Sequence, residues 1–249
     1  MQLSVIIPAY NEAERLGPQL GAVRAYLDAH FPDHELIVVD DGSRDATAAR
    51  VTAALAGAPR ARLLSYQPNR GKGAAVRAGV AVSRGAVVLF MDADLSTPLT
   101  EIPRLLAVLA AERADVVIGS RGLPQAEIRV RPPLYRRLAS ALFDQVKYAL
   151  VGLRRFTDTQ CGFKAFRGEV ARPLFALGQV DRFMFDVEIL FLAERAGLRI
   201  VEMPVTWADM PGSKVRFWEG AVQMLRDLWR IRRLHPGRIE LQPAERPSA

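Results

Sequence analysis

Residues 86–96 read "AVVLFMDADLS", an apolar run that stops on two carboxylates one residue apart. Side chains at i and i+2 of an extended segment point the same way. Asp92 and Asp94 therefore converge on one patch and repel each other, and a positive partner is expected between them. Four similar runs occur, "LSVIIP" (3–8), "ELIVVD" (35–40), "RLLSY" (62–66) and "DVVIGS" (115–120). Helix-like stretches near 12–29, 44–56, 73–83 and 100–112 separate the five. Near-continuous β-branched runs alternating with helices indicate parallel strands covered on both faces, which is a doubly wound α/β domain.

In such sheets ligands gather beyond the carboxyl ends of the strands. The residues at those ends are "PAYNE" (8–12), "DDGSRD" (40–45), "NRGKG" (69–73), "DADLS" (92–96) and "SRG" (120–122), all rich in charge, amide or glycine. The opposite rim reads as ordinary connections. One edge of the sheet is expected to carry the chemistry.

A hard dication with oxygen ligands, Mg²⁺ or Mn²⁺, would relieve the repulsion of Asp92 and Asp94 and leave positions for phosphate oxygens. Asp40 and Asp41 add carboxylates able to accept from a base N–H or a ribose hydroxyl, while Asp45 suits a helix cap or first turn. Arg70 and Lys72 sit among glycines at a helix start, a setting for an anion. The loop lacks the Gly-Lys-Ser/Thr ending of a Walker A sequence, and no G-x-G-x-x-G follows the first strand, so a nicotinamide-dependent oxidoreductase is disfavoured.

The 249 residues are half hydrophobic, with a formal charge of +7. That charge favours anionic partners. Nucleic acid is a poor fit, because Asp40, Asp41, Asp92 and Asp94 on one rim would repel its phosphates. Cys161 is the single cysteine, so no internal disulfide or cysteine-based metal cluster forms. With no apolar window of roughly 18 residues and no leader pattern at Met1, neither a membrane span nor a secretory signal is expected, and a cytoplasmic setting fits.

"VIIPAYNEAERL", "VVDDGSRDAT", "NRGKGAAVRAGV" and "MDADLSTP", in this order, resemble the family 2 glycosyltransferases of the GT-A fold. "GSRG", "DTQCGFKAFR", "FDVEILFLAERAG" and "PGSKVR" are similar to the polyprenyl-phosphate sugar transferases, closest to the dolichyl-phosphate β-glucosyltransferase branch. The resemblance covers about residues 3–235. It implies a nucleotide-sugar donor, UDP-glucose foremost and GDP-mannose or another nucleotide sugar as the alternative. By position, Pro8, Ala9, Tyr10 and Glu12 border the base and ribose, Asp40 or Asp41 contacts the nucleoside, and Lys72 lies near the donor. Asp92, Ala93 and Asp94 follow, with Asp92 and Asp94 on the metal. Ser96 stands where the mannosyltransferases commonly carry a metal-holding glutamine, which weakens the mannosyl reading and leaves Ser96 as a direct or water-mediated ligand.

The implied acceptor is a polyprenyl or dolichyl monophosphate. A phosphate oxygen needs cationic placement rather than a general base, and Arg121, Arg136 and Ser140 match positions that hold the lipid phosphate in those relatives. Arg136 and Ser140 are spaced to share one helix face. Asp158 is a candidate to orient the acceptor or act as base, with Lys164 as its pairing partner. Lys214, beside Pro211 and Gly212, is a candidate clamp on a mobile loop. Asp186 and Glu188 fall in an apolar helix pattern and are read as structural, each needing a partner. Direct displacement implies inversion. One domain is expected over 1–235, divided into a nucleotide-sugar part (1–122) and an acceptor part (123–235), with a loose tail from Pro236. Stretches 133–153 (Leu134, Leu138, Leu142, Phe143, Val146) and 217–234 (Trp218, Leu225, Leu228, Trp229) are candidates to lie on a membrane surface.

Overall fold

The structure, a computed structural model, describes residues 2–130, 134–210 and 217–241, with the side chains of all of these except 134–142 and 217–221. In chain order the elements are β1 (Leu3–Ala9), α1 (Leu16–His30), β2 (His34–Asp41), α2 (Thr47–Leu55), β3 (Ala61–Tyr66), α3 (Lys72–Val82), β4 (Val87–Met91) and α4 (Glu101–Ala111). They continue with β5 (Val116–Ser120), β6 (Glu127–Val130), α5 (Leu134–Val151), β7 (Phe163–Arg167), α6 (Gly168–Leu177), α7 (Phe185–Arg195), β8 (Ile200–Pro204), β9 (Thr206–Ala208) and α8 (Phe217–Leu234).

Seven strands form one sheet in the order β3-β2-β1-β4-β7-β5-β8. All pair in parallel except β7, which runs antiparallel to both β4 and β5. The strand order reverses between β1 and β4, because β2 and β3 extend one way and β4 the other. This is the topological switch point, where chain ends splay apart and leave a crevice. β6 and β9 pair in a separate two-stranded ribbon.

Alternating side chains of each strand feed two cores. On one face Val5, Ile7, Val38 and Leu89 pack with Leu20 of α1, Val51 of α2 and Leu105 of α4. On the other, Ile6, Val39 and Phe90 pack with α3, α6, α7 and α8. Burial of both faces is why the strands read as unbroken apolar runs. Phe90 lies among Phe166, Phe175 and Phe185, with ring centroids 5.7–6.5 Å away, so β4 is wedged rigidly two residues before Asp92.

The sequence-based strands at β1 to β5 and the helices at α1 to α4 are present. "RIVEMPVTW" reads as one strand, but Pro204 ends β8, and Val205 separates it from β9 in the other sheet. β6, β7 and α6 carry no strand or helix expectation. The tail is also tied further than expected, since Ile239 and Leu241 pack against the core.

Candidate active site

The crevice at the ends of β1 and β4 is a cleft of about 350 Å³. Pro8, Ala9, Tyr10, Glu12, Asp41, Lys72, Asp92, Ala93 and Asp94 all line it. Of the sequence-derived nucleotide residues only Asp40 does not. It is buried, with its oxygens accepting from Ser43 N and Ser65 Oγ. Asp41 organises the glycine loop: its carboxylate accepts from Tyr66 Oη at 2.8 Å, Asn69 Nδ2 at 2.6 Å, Arg70 N at 2.9 Å and Gly71 N at 2.8 Å. Gly71 has φ +118°, and a Cβ there would meet the Asp181 carbonyl 2.5 Å away, so only glycine lets the loop seat against that segment.

Of the paired acids, Asp92 is met by a cation of the chain itself, Lys72. Its Nζ lies 2.6 Å from Asp92 Oδ1. Burial works against the ammonium, but the charges of Asp92, Asp186 and Asp94 outweigh it and raise its pKa. Lys72 is reached because α3 begins at that residue and points its first turn at the β4 end. Asp92 is held from behind by Gly162, whose carbonyl accepts from Asp92 N at 3.0 Å. Asp94 is oriented differently. Its Oδ1 accepts from both Ser96 N (3.0 Å) and Ser96 Oγ (2.7 Å), a turn made by Leu95 at φ +52°. A leucine there is an outlier, and such strain clusters at functional sites.

Six residues of the cleft are not among the sequence-derived candidates, Gly71 and Ala75 being two of them. Arg15 donates two hydrogen bonds of 2.7 Å to Glu12; these bonds raise its pKa against burial, and the charges of Glu12 and Asp94 add to the effect. Its place one turn beyond Glu12 at a helix start is a local signal that could have found it. Arg182, Phe183 and Asn69 also line the cleft, yet the first two come from the segment before α7, and nothing near them in sequence marks that approach.

Across β7, at the end of β5, Arg121 is clamped by Asp158. Arg121 Nε donates to Oδ2 at 2.6 Å, Nη2 to Oδ1 at 2.9 Å, and the Arg121 amide to Oδ2 at 3.0 Å. Gln160 N and Cys161 N add to Oδ1 at 3.0 and 3.1 Å. Burial alone would raise the Asp158 pKa, but the Arg121 charge and these hydrogen bonds hold it well below the usual carboxylate range. Arg121 rises correspondingly, burial being overcome by Asp158, and the charge of Asp92 reaches it too. The guanidinium also lies over Trp207, 5.3 Å from the ring centroid.

Lys164 does not pair with Asp158. It pairs with buried Asp186 and donates to Cys161 O at 2.8 Å. Its side chain stands buried on the sheet face that carries Phe90, with Nζ 5.1 Å from that ring's centroid. Glu188 has its own partners, accepting from Gln179 N and Val180 N and lying 2.7 Å from His235 Nε2. Both buried acids of α7, Asp186 and Glu188, thus have the partners that burial demands. α5 sets positions 136 and 140 one turn apart, but the side chains of Arg136 and Ser140, like Lys214, lie outside the described residues.

The profile of Glycosyl transferase family 2 matches residues 4–175. The chain belongs to this family. As a family 2 glycosyltransferase, it is 41% identical over 247 residues to "Dolichyl-phosphate beta-glucosyltransferase" of Drosophila melanogaster, covering 93% of this chain and 74% of that protein. A protein of the same description from Dictyostelium discoideum is 38% identical over 242 residues, covering 92% and 73%. The glucosyl-3-phosphoglycerate synthase of Mycobacterium tuberculosis, crystallised with Mn²⁺, UDP and phosphoglyceric acid, superposes with a TM-score of 0.58 at 22% identity, covering 92% of this chain and 76% of that one. The fold is therefore that of the GT-A glycosyltransferases.

Proposed function

We propose that this glycosyltransferase moves glucose from UDP-glucose to the phosphate of a polyprenyl, dolichyl-type monophosphate, with inversion at the anomeric carbon. One observation carries the reading: a carboxylate pair with a lysine at the switch point, and an arginine clamped by a buried carboxylate on the same rim two strands away. The first suits a nucleoside diphosphate, the second a phosphate monoester. The names of the relatives support the lipid acceptor and the glucosyl group.

The donor set fits a hard dication. Among the described residues no cluster of three or more His, Cys, Asp or Glu side chains exists, so protein ligands would be few. Mg²⁺-type sites commonly use one or two carboxylates and complete the shell with substrate phosphates and water. Asp92 and Asp94 would hold the ion, with Ser96 orienting Asp94. When bound, such an ion supplies charge neutralisation for a departing diphosphate.

The remaining chemistry falls to the chain. Pro8, Ala9, Tyr10, Glu12 and Asp41 receive the nucleoside, with Asp40 bracing the loop behind it. Lys72 shares its positive charge with the diphosphate, and Lys214 is assigned as a second cation. Arg121, with Arg136 and Ser140, positions the acceptor phosphate. An acceptor oxygen forms the new bond to the anomeric carbon as the bond to the diphosphate breaks, and UDP leaves. No proton has to be removed, since a phosphate monoester is already anionic at neutral pH. Asp158 is accordingly a positioning residue for Arg121: its carboxylate is saturated with donors and too acidic to serve as a base. With a lipid acceptor, the enzyme works at a membrane surface, and the cytoplasmic face is the side we propose.

A radiolabelled donor panel against polyprenyl phosphate, with Mg²⁺, Mn²⁺ or chelator, tests this. Transfer from UDP-glucose into the organic phase, metal-dependent and β-linked, is expected. Preferred transfer from GDP-mannose, or an α-linked product, would refute the donor or the displacement respectively.

A further inference from the structure

We infer that the outer face of α8 docks on an anionic bilayer and holds the donor cleft beside it; this rests on the reading that the acceptor is a membrane lipid. The helix has two apolar faces. Met224, Leu228 and Ile231 are buried in the core, which explains why Leu228 does not belong to the surface stripe expected of it. About a third of a turn round the helix from that face, Val222, Leu225 and Trp229 are 60%, 41% and 52% exposed. Their spacing, i, i+3 and i+7, sets them in one line along the helix. Arg226, Arg230 and Arg233 border that line and are exposed, and the Arg233 guanidinium stacks on Trp229, 3.4 Å from its ring centroid.

This is the composition of an interfacial helix: a thin apolar strip for the headgroup boundary, an aromatic amphipath and a cationic fringe. Charge complementarity selects an anionic leaflet. A second copy of the chain is a poor occupant. Two-fold pairing of this strip would bring its arginines against their own counterparts, and three side chains fall far short of the roughly 20–30 residues per side of a stable interface. No helix among the described residues is long and apolar enough to cross a membrane, so attachment through them is by surface contact.

The described half of α5 does not offer an equivalent strip. Phe143 and Leu150 pack against the core, Val151 and Lys147 are buried, and the exposed positions there are Gln145 and Ala149. α8 also adjoins the chemistry. Asp227, on its inward side, feels the charge of Arg182, which lines the donor cleft. His235, just past the end of α8, contacts Glu188, which holds the backbone at Gln179 and Val180 leading into that same segment.

The test is co-sedimentation of the full chain with vesicles of phosphatidylcholine alone or mixed with phosphatidylglycerol. Binding is expected only to the mixed vesicles. Leu225→Ser with Trp229→Ser should abolish it, and each Arg→Gln change at 226, 230 or 233 should weaken it about fivefold, the scale for one basic residue at an anionic leaflet. These positions are exposed, so the variants keep their fold, and turnover of a short, water-soluble prenyl phosphate in vesicle-free solution should match the parent. Equal binding by parent and variants, no binding by the parent, or a dimer that the variants dissolve would each overturn the docking. Failure of the parent to glycosylate the soluble acceptor counts against the proposed activity alone, since the vesicle measurement stands without it.

Discussion

Replacing Gly162 by alanine adds one methyl group against the Asp92 carboxylate. A Cβ built there would lie 2.0 Å from Oδ2, 2.2 Å from Cγ and 2.4 Å from Oδ1, where real contacts start near 3.0 Å. The carboxylate must therefore retreat by about 1 Å, and the backbone of residue 162 needs no change, because its φ is not in the left-handed region. What yields is the free end of a half-buried side chain, so the expected loss of stability is under about 1 kcal/mol, a shift in Tm of a few degrees at most for a chain of this size. The site is far less forgiving. Asp92 would leave its 2.6 Å contact with Lys72 and its line with Asp94. Misplacement by 1 Å is worth about 10²-fold in rate, or close to 2.7 kcal/mol of barrier. The assay pairs thermal unfolding with initial rates of glucosyl transfer at saturating donor. A variant that unfolds with the parent but turns over about a hundredfold more slowly supports the geometry; one with near-parental kcat refutes the role given to Asp92.

Asp158→Asn should separate the Arg121 clamp from simple packing through pH. The native pKa of Asp158 lies below its ordinary value of 3.8, so the paired carboxylate stabilises the fold fully above that value and less as pH falls beneath it. The difference in stability between parent and variant, followed by urea unfolding from pH 7 to pH 3, should narrow below about pH 4; a gap that widens on acidification would contradict the assignment. In the same variant the acceptor KM should rise more than the donor KM. The Cys161 thiol is buried and pushed up to about 12, first by burial and then by the charge of Asp158. It should resist a thiol-specific chromogenic reagent at pH 8 in the native protein and react at once in denaturant; rapid native labelling would show that the floor beneath Arg121 is open.

Much of the architecture is legible because the strands flanking the switch point obey local rules. β1, β2 and β4 are buried on both faces, so their apolar runs announce themselves, and the polar residues after them mark the rim. β7 is a different case. "FKAFR" carries Lys164 at a fully buried position, and the distant Asp186, together with the Cys161 carbonyl, makes that lysine tolerable. A pattern reading has no means to know of a partner 22 residues away. The same limit hides which cation meets Asp92, since Lys72 and Arg70 look alike in "NRGKG" and the start of α3 decides between them. Arg182 and Phe183 reach the cleft only because Gly71 and Gly73 let two backbones touch. Motif order located the rim; who pairs with whom on it is a property of the packed chain.

The most direct test of the account is anomalous diffraction at the manganese edge from crystals of the chain grown with Mn²⁺ and UDP. A single strong peak is predicted at coordinating distance, about 2 Å, from an Asp94 oxygen and from the diphosphate, with the uridine between Tyr10 and Asp41. A nucleotide bound elsewhere, or manganese seated away from both Asp92 and Asp94, would contradict it.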